Sequence, residues 1–192
     1  MIEIKELYKN FDNKVVLNNI SFTINEKGIT GLMATSGAGK TTIINIILGF
    51  LNADSGSINN LPNNIAVVFQ EDRLLEWITP LKNIKICENI ELEKIDKIFN
   101  QFKIDNTKPV SKLSGGMKRR VAIARAILYK SEFIILDEPF KGLDDKTKKI
   151  VMDIIIKESE KKPILFITHN IDEIKYFNLN NVEYVDKFKI YK

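Results

Sequence analysis

Two hydrophobic periodicities alternate along the chain. The short apolar stretches Ile29 to Met33, Ile65 to Phe69, Phe133 to Leu136 and Ile164 to Ile167 are bounded by polar or glycine-bearing segments. Runs of that length and setting predict strands buried on both faces. Between them, apolar residues recur at helical spacing. An apolar run from Ile43 to Leu51 follows the first strand. Leu81, Ile84 and Ile86, then Leu92, Ile95, Ile98 and Phe99, are separated by charges. Lys118 to Tyr129 reads as a basic amphipathic helix with Val121, Ala124, Ile127 and Leu128 on its inner face. A further helix opens at Asp144 and Asp145, acids suited to a helix N-terminus, and carries Ile150, Val151, Ile154 and Ile155. Near the N-terminus, Ile2-Glu3-Ile4 and Val15 to Ile24 alternate and are broken by the turn signal Asp12-Asn13, which predicts an antiparallel outer layer. Asn52 to Ser57 reads as a turn, Ser111 to Met117 as a loop, Pro163 as the end of a helical tail, and Val182 to Tyr191 as a terminal hairpin.

Strands alternating with helices predict an α/β fold with a mostly parallel sheet wrapped on both faces. Added to it are the N-terminal antiparallel β layer and a small helical insert. The expected organisation is a single domain over residues 1–192. Residues 1–70 and 131–192 form its core, and residues 71–130 form a helical subdomain. Strands joined by helical crossovers run the same way, so their C-terminal ends share one edge, where such sheets bind ligands. That deduction alone brings Lys40, Gln70, Asp137, Glu138 and His169 to a common rim.

The chemistry at this rim starts with Ala34 to Thr42, ATSGAGKTT, lying between a strand and a helix. The pattern is that of the phosphate-binding P-loop, with Ala34 where a glycine is expected. Backbone N–H groups of Gly37 to Thr41 would surround phosphate oxygens, and the helix beginning near Lys40 would aim its positive end at them. Lys40 would reach the β- and γ-phosphates and the Thr41 hydroxyl would ligate Mg²⁺. If position 34 needs a positive φ, its Cβ costs about 1–2 kcal/mol and weakens nucleotide binding. Asp137 and Glu138 close an apolar strand. Asp137 is suited to hold Mg²⁺ and Glu138 to activate water. His169, the single histidine, follows a strand end and is placed to contact a γ-phosphate. Ser114, Gly115 and Gly116 form a second anion-friendly loop, which makes sense closing over nucleotide held by another copy. Tyr8 and Phe11 are both candidates for stacking adenine. Trp77, beside Thr79-Pro80, is either core or part of an exposed contact surface.

Composition narrows the partners. The net charge of +4 comes mostly from scattered lysines, and no aromatic-interleaved basic stripe suggests nucleic acid. The single cysteine, Cys87, excludes an internal disulfide or a cysteine metal cluster and fits a reducing cytoplasm. The N-terminus does not read as a signal peptide, and the apolar run around Thr41 to Leu51 is too short to span a bilayer. A membrane role would therefore come through partners.

LSGGMKRRVAIARAIL, followed by FIILDEP and a lone histidine after a strand, closely resembles the ATP-binding subunits of ABC transporters, over a match from Phe11 to about Ile174. The resemblance implies a P-loop NTPase core that binds ATP and Mg²⁺. Residues Ala34, Thr35, Ser36, Gly37, Ala38, Gly39, Lys40, Thr41 and Thr42 match the Walker A motif, and Gln70 matches the Q-loop residue, another Mg²⁺ ligand. Leu113 to Met117 match the signature, Phe133 to Asp137 Walker B, and Glu138 the catalytic glutamate. Asp144, within KGLDD, matches the D-loop aspartate, and His169 the switch histidine; Phe11 falls at the adenine-stacking position. Ala34 and Met117 depart from the pattern. VFQEDRLLEWITPLKNI is similar to importer ATPases of the nitrate, sulfonate and taurine type.

The implied protein is a cytoplasmic ATPase at the inner face of the membrane. It would pair with itself or a homologous subunit and work with permease subunits and a solute-binding protein. An ATP-gated regulatory protein with weak hydrolysis, motivated by Ala34 and Met117, is the alternative. A soluble ATPase acting on DNA or ribosomes would call for duplicated cassettes or coiled-coil inserts, which the sequence lacks.

Overall fold

The structure is a computed structural model, and it describes residues 1–12, 14–88 and 90–192. Half of the Asp12-Asn13 turn signal, Asn13, thus lies outside the described residues. The described residues form two sheets. In the outer one, β1 (Ile2–Phe11) pairs antiparallel with β2 (Lys14–Ile24) and, on its other side, with β4 (Ser55–Asn59). The expected turn at Asn52 to Ser57 is therefore partly an edge strand. Its exposed, polar residues carry no hydrophobic alternation, so the pattern that marks a strand is absent.

The inner sheet has the order β5 (Ile65–Val68), β6 (Phe133–Asp137), β7 (Pro163–Thr168), β3 (Gly28–Ala34), β9 (Phe188–Tyr191) and β8 (Val182–Val185). Its first four strands are parallel. The terminal hairpin adds two antiparallel strands beside β3. Pro163 opens β7 and does not end the helix before it, which stops at Ser159. An opening strand position suits a residue with no N–H to donate.

Why these strands are apolar throughout follows from their place between two cores. Along β6, Phe133 and Ile135 face one cluster while Ile134 and Leu136 face the other. Leu165 and Ile167 of β7 are likewise opposed to Ile164 and Phe166. Successive side chains point to opposite faces, so a strand covered on both sides must be apolar at every step. The first cluster packs under helix α1 (Lys40–Ile47) and the outer sheet. The second includes helices α3 (Leu92–Phe102), α4 (Gly115–Leu128) and α5 (Asp145–Ser159). Short helices α2 (Pro80–Lys85) and α6 (Ile171–Tyr176) complete the chain, and α6 carried no clear periodic signal.

Helix α4 begins at Gly115, earlier than the sequence suggests. Ser114 is its N-cap, accepting from the Met117 N–H at 3.3 Å. The SGG segment is thus the first turn of a helix as well as a loop, because a serine cap nucleates it there.

Candidate functional site

Register fixes the rim. Val67 pairs with Ile135, Leu136 with Phe166, Asp137 with Ile167, and Met33 with Thr168. The ends of β5, β6, β7 and β3 therefore lie level, and the residues just beyond them share one edge. A cleft of about 910 Å³ opens there. Thr35, Ser36, Gly37, Gly39, Lys40, Thr41 and Thr42 line one side. Gln70, Asp137, Glu138 and His169 line the other. The sequence-derived rim is a real cavity.

The loop from β3 to α1 has a backbone suited to anions. Gly39 is the N-cap of α1 at φ +108°, with no side-chain cap on the helix. A Cβ there would lie 2.9 Å from side-chain atoms of both Val16 and Leu17. Glycine is thus required twice over, for its φ and for its closeness to β2. The uncapped first-turn N–H groups are left for an external acceptor. Lys40 Nζ meanwhile donates to the carbonyls of Ala34 at 2.9 Å and Thr35 at 3.0 Å. The conditional cost at position 34 does not arise. The left-handed residues of the loop are Gly37 and Gly39. Ala34 is the last strand residue, paired with Phe188, with its side chain in the core. Ala38 is buried as well.

At the opposite wall, Glu138 has a φ of +48°, an uncommon conformation for a side chain of this kind. Its N–H donates to the Ile167 carbonyl at 2.9 Å, and its carboxylate Oε1 lies 2.7 Å from His169 Nδ1. The following turn is anchored by Phe140, whose ring packs 5.5 Å from Phe166, itself 4.9 Å and edge-on to Phe177. Asp137 is buried. Burial first, and the neighbouring Glu138 second, push its carboxyl above the usual range, opposed by Lys40 and Arg119. A buried carboxylate short of compensating charge is suited to a cation. With the Thr41 hydroxyl and the Gln70 amide in the same cleft, the donor set is all oxygen, as Mg²⁺ prefers.

Of the expected site residues, Phe11, Ala34, Ala38, Ser114, Gly115, Gly116 and Asp144 do not line this cleft. Ser114 and Gly115 are exposed at the start of α4, with Gly116 half-buried beside them. Asp144 caps α5, accepting from the Thr147 N–H at 2.9 Å. Those Thr147 bonds hold its carboxyl below the usual range. Phe11 lies exposed at the end of β1, with Lys9 Nζ 5.4 Å from its ring centre, and Tyr8 is half-buried. Trp77 is exposed, and Met117 packs against the core.

Sequence reasoning missed Arg119. Within what reads as a basic surface helix it is 3% exposed. Its guanidinium donates to the carbonyls of Phe69, Asp137, Glu138 and Pro139. The available signal was residue choice. Arg73, Arg119, Arg120 and Arg125 are the arginines of a chain whose other basic residues are lysines.

Residues 17–141 match the family model described as ABC transporter. The aliphatic sulfonates import ATP-binding protein of Corynebacterium glutamicum is 35% identical over 182 residues, covering 88% of this chain and 74% of that protein. The spermidine/putrescine import ATP-binding protein of Legionella pneumophila is 31% identical over 214 residues, covering 96% of this chain and 58% of that one. Among solved structures, a dimeric bacterial ABC transporter cassette superposes with a TM-score of 0.77 at 25% identity, covering 92% of this chain and 91% of that one. Among the described residues no helix is long and apolar enough to cross a membrane. With its glycine-bearing loop, paired acids and histidine on one rim, the chain belongs to the ABC transporter family as an ATP-binding and ATP-hydrolysing subunit.

Proposed function

We propose that this subunit binds ATP with Mg²⁺ in the rim cleft, works as a pair of copies, and drives import through separate membrane permease subunits. Within the cleft, N–H groups of the Gly37 to Thr41 segment and Lys40 take the phosphates. On binding, Lys40 exchanges the Ala34 and Thr35 carbonyls for phosphate oxygens, so the loop's own bonds are replaced and not simply lost. Thr41, Gln70 and Asp137 would hold Mg²⁺, which supplies charge neutralisation at the phosphates when bound. Glu138 deprotonates the attacking water, and His169 holds that carboxylate in line while facing the γ-phosphate. Phe11 offers its exposed ring to adenine.

The carrying observation is the 2.7 Å contact of Glu138 with His169 inside the same cleft as Lys40. Ser114, Gly115, Gly116 and Asp144 lie outside that cleft. The exposure of Ser114, Gly115 and Asp144 supports a second copy whose nucleotide this segment would close over. Residues 71–130 would then act as the helical subdomain presenting Ser114 to the partner, with residues 1–70 and 131–192 as the core. The import proteins of C. glutamicum and L. pneumophila favour import, with sulfonates the leading solute class and a solute-binding protein delivering the cargo. In this arrangement the subunit sits at the cytoplasmic face of the membrane.

The test is light scattering on Glu138→Gln with ATP and Mg²⁺. An ATP-dependent dimer is expected, with retained nucleotide binding. A monomer under every nucleotide condition, together with no crosslink between Ser114 and the neighbour's Lys40 loop, overturns the paired arrangement.

A further inference from the structure

The end of β6 poses a problem in backbone chemistry. Asp137, Glu138 and Pro139 present three consecutive carbonyls to one buried guanidinium. Arg119 Nη2 donates to the Asp137 oxygen at 2.8 Å and the Glu138 oxygen at 2.7 Å, and Nε donates to the Pro139 oxygen at 2.9 Å. Successive carbonyls of a regular strand point in alternate directions and cannot converge this way. They do so here because Glu138 takes a φ of +48°. That conformation costs about 1–2 kcal/mol for a residue with a Cβ, and persists only where its surroundings hold it. The guanidinium does so.

The remaining donor nitrogen turns to the neighbouring strand. Nη1 meets the Phe69 carbonyl, lies 3.1 Å from Asp72 Oδ1, and is 3.5 Å from the Gln70 carbonyl. Arg125, from the same helix, adds bonds to the Asp72 carbonyl at 3.2 Å and the Arg73 carbonyl at 3.0 Å. Arg119 thus spans the two strand ends that carry Gln70 and Glu138. It also rides on α4, whose first turn is Ser114 to Gly116. An arginine presents five N–H donors in a fixed plane, whereas lysine offers three from one point and glutamine two. No other side chain satisfies this set of acceptors.

We propose that Arg119 is a positioning residue for hydrolysis: it fixes the backbone of Glu138, sets its distance from Gln70, and carries displacement of the Ser114 end of α4 to both. Its side chain does not line the cleft. The claim rests on Glu138 being the base, and its test separates the two.

The experiment compares wild type, Arg119→Lys, Glu138→Gln and the double variant, by single-turnover ATP hydrolysis and fluorescent-nucleotide binding. Arg119→Lys keeps the charge and loses the fork. Its kcat is expected to fall at least about 10-fold while KM and nucleotide affinity stay within about 3-fold, the split expected for misplacement of a catalytic group. In the Glu138→Gln background the same change is expected to cost less than about 2-fold, because the group it positions is already gone. Equal losses in both backgrounds, or kcat within about 2-fold of wild type, overturn the proposal. A wild-type chain without turnover would remove the base itself, and the proposal would fall with the ATPase reading. Should Arg119→Lys fail to fold, Asp72→Asn loosens the clamp from the β5 side and leaves the guanidinium in place. Its kcat should drop by about 3-fold or more at unchanged KM, and wild-type kcat there counts against Arg119.

Discussion

Asp137→Asn should make the protein more stable and inactive at once. The Asp137 side chain lies at the end of β6, buried. Glu138 is next in sequence, and only the charges of Lys40 and Arg119 offset the penalty. Asparagine has the same shape and leaves the Asp137 carbonyl free to accept from Arg119. Burial disfavours this charge more than the two nearby cations favour it, so neutralising it stabilises the fold, by on the order of 1 kcal/mol. For a chain of this length each kcal/mol moves Tm by about 2–4 °C. The sign of the pH dependence follows from the direction of the shift. Asp137 has a folded-state pKa above its unfolded one, so the wild type loses stability as pH rises through the folded value. The advantage of Asn is therefore largest at neutral pH and vanishes in acid, where wild-type Asp137 is protonated. Thermal melts across pH, without and with ATP and Mg²⁺, read this directly. Turnover should fall by at least about 100-fold, since a group facing the reacting phosphates is neutralised. A Tm at pH 7 equal to or below wild type refutes the reasoning about uncompensated charge.

Other substitutions probe separate parts of the site. His169→Ala should lower kcat by about 10–100-fold with KM for ATP within about 3-fold, because its 2.7 Å contact orients Glu138 and does little for binding; steady-state kinetics decide it. Gly39→Ala puts a Cβ at φ +108° against Val16 and Leu17, so a loss of about 1–2 kcal/mol, or about 2–8 °C in Tm, is expected alongside weaker nucleotide binding. Gly115→Ala has open space around the new methyl and should melt like wild type.

How much of this was legible in the sequence depended on whether a residue's role is local. Lys40, Gln70, Asp137, Glu138 and His169 were legible because each sits just past an apolar strand or opens a helix, and parallel topology does the rest. Strand β4 was hidden because an exposed edge strand needs no apolar alternation. The antiparallel placement of β9 beside β3 depends on which sheet edge is free, a global property. Ala34 looked like a defect only while its backbone was unknown; it is an ordinary strand residue, so it gives no ground for a non-hydrolysing protein. Arg119 was unreadable for a related reason. Its acceptors are carbonyls from two strands more than a dozen residues away on either side, and carbonyls leave no trace in residue identity.

The most direct measurement is phosphate release by the purified chain with ATP and Mg²⁺, wild type and Glu138→Gln side by side. The expected result is steady turnover by the wild type and a loss of about 100-fold or more in the variant, with fluorescent-nucleotide affinity retained, as befits removal of a general base. Comparable turnover by the two proteins would contradict the assignment of Glu138 as the base, and with it the chemistry proposed for the rim.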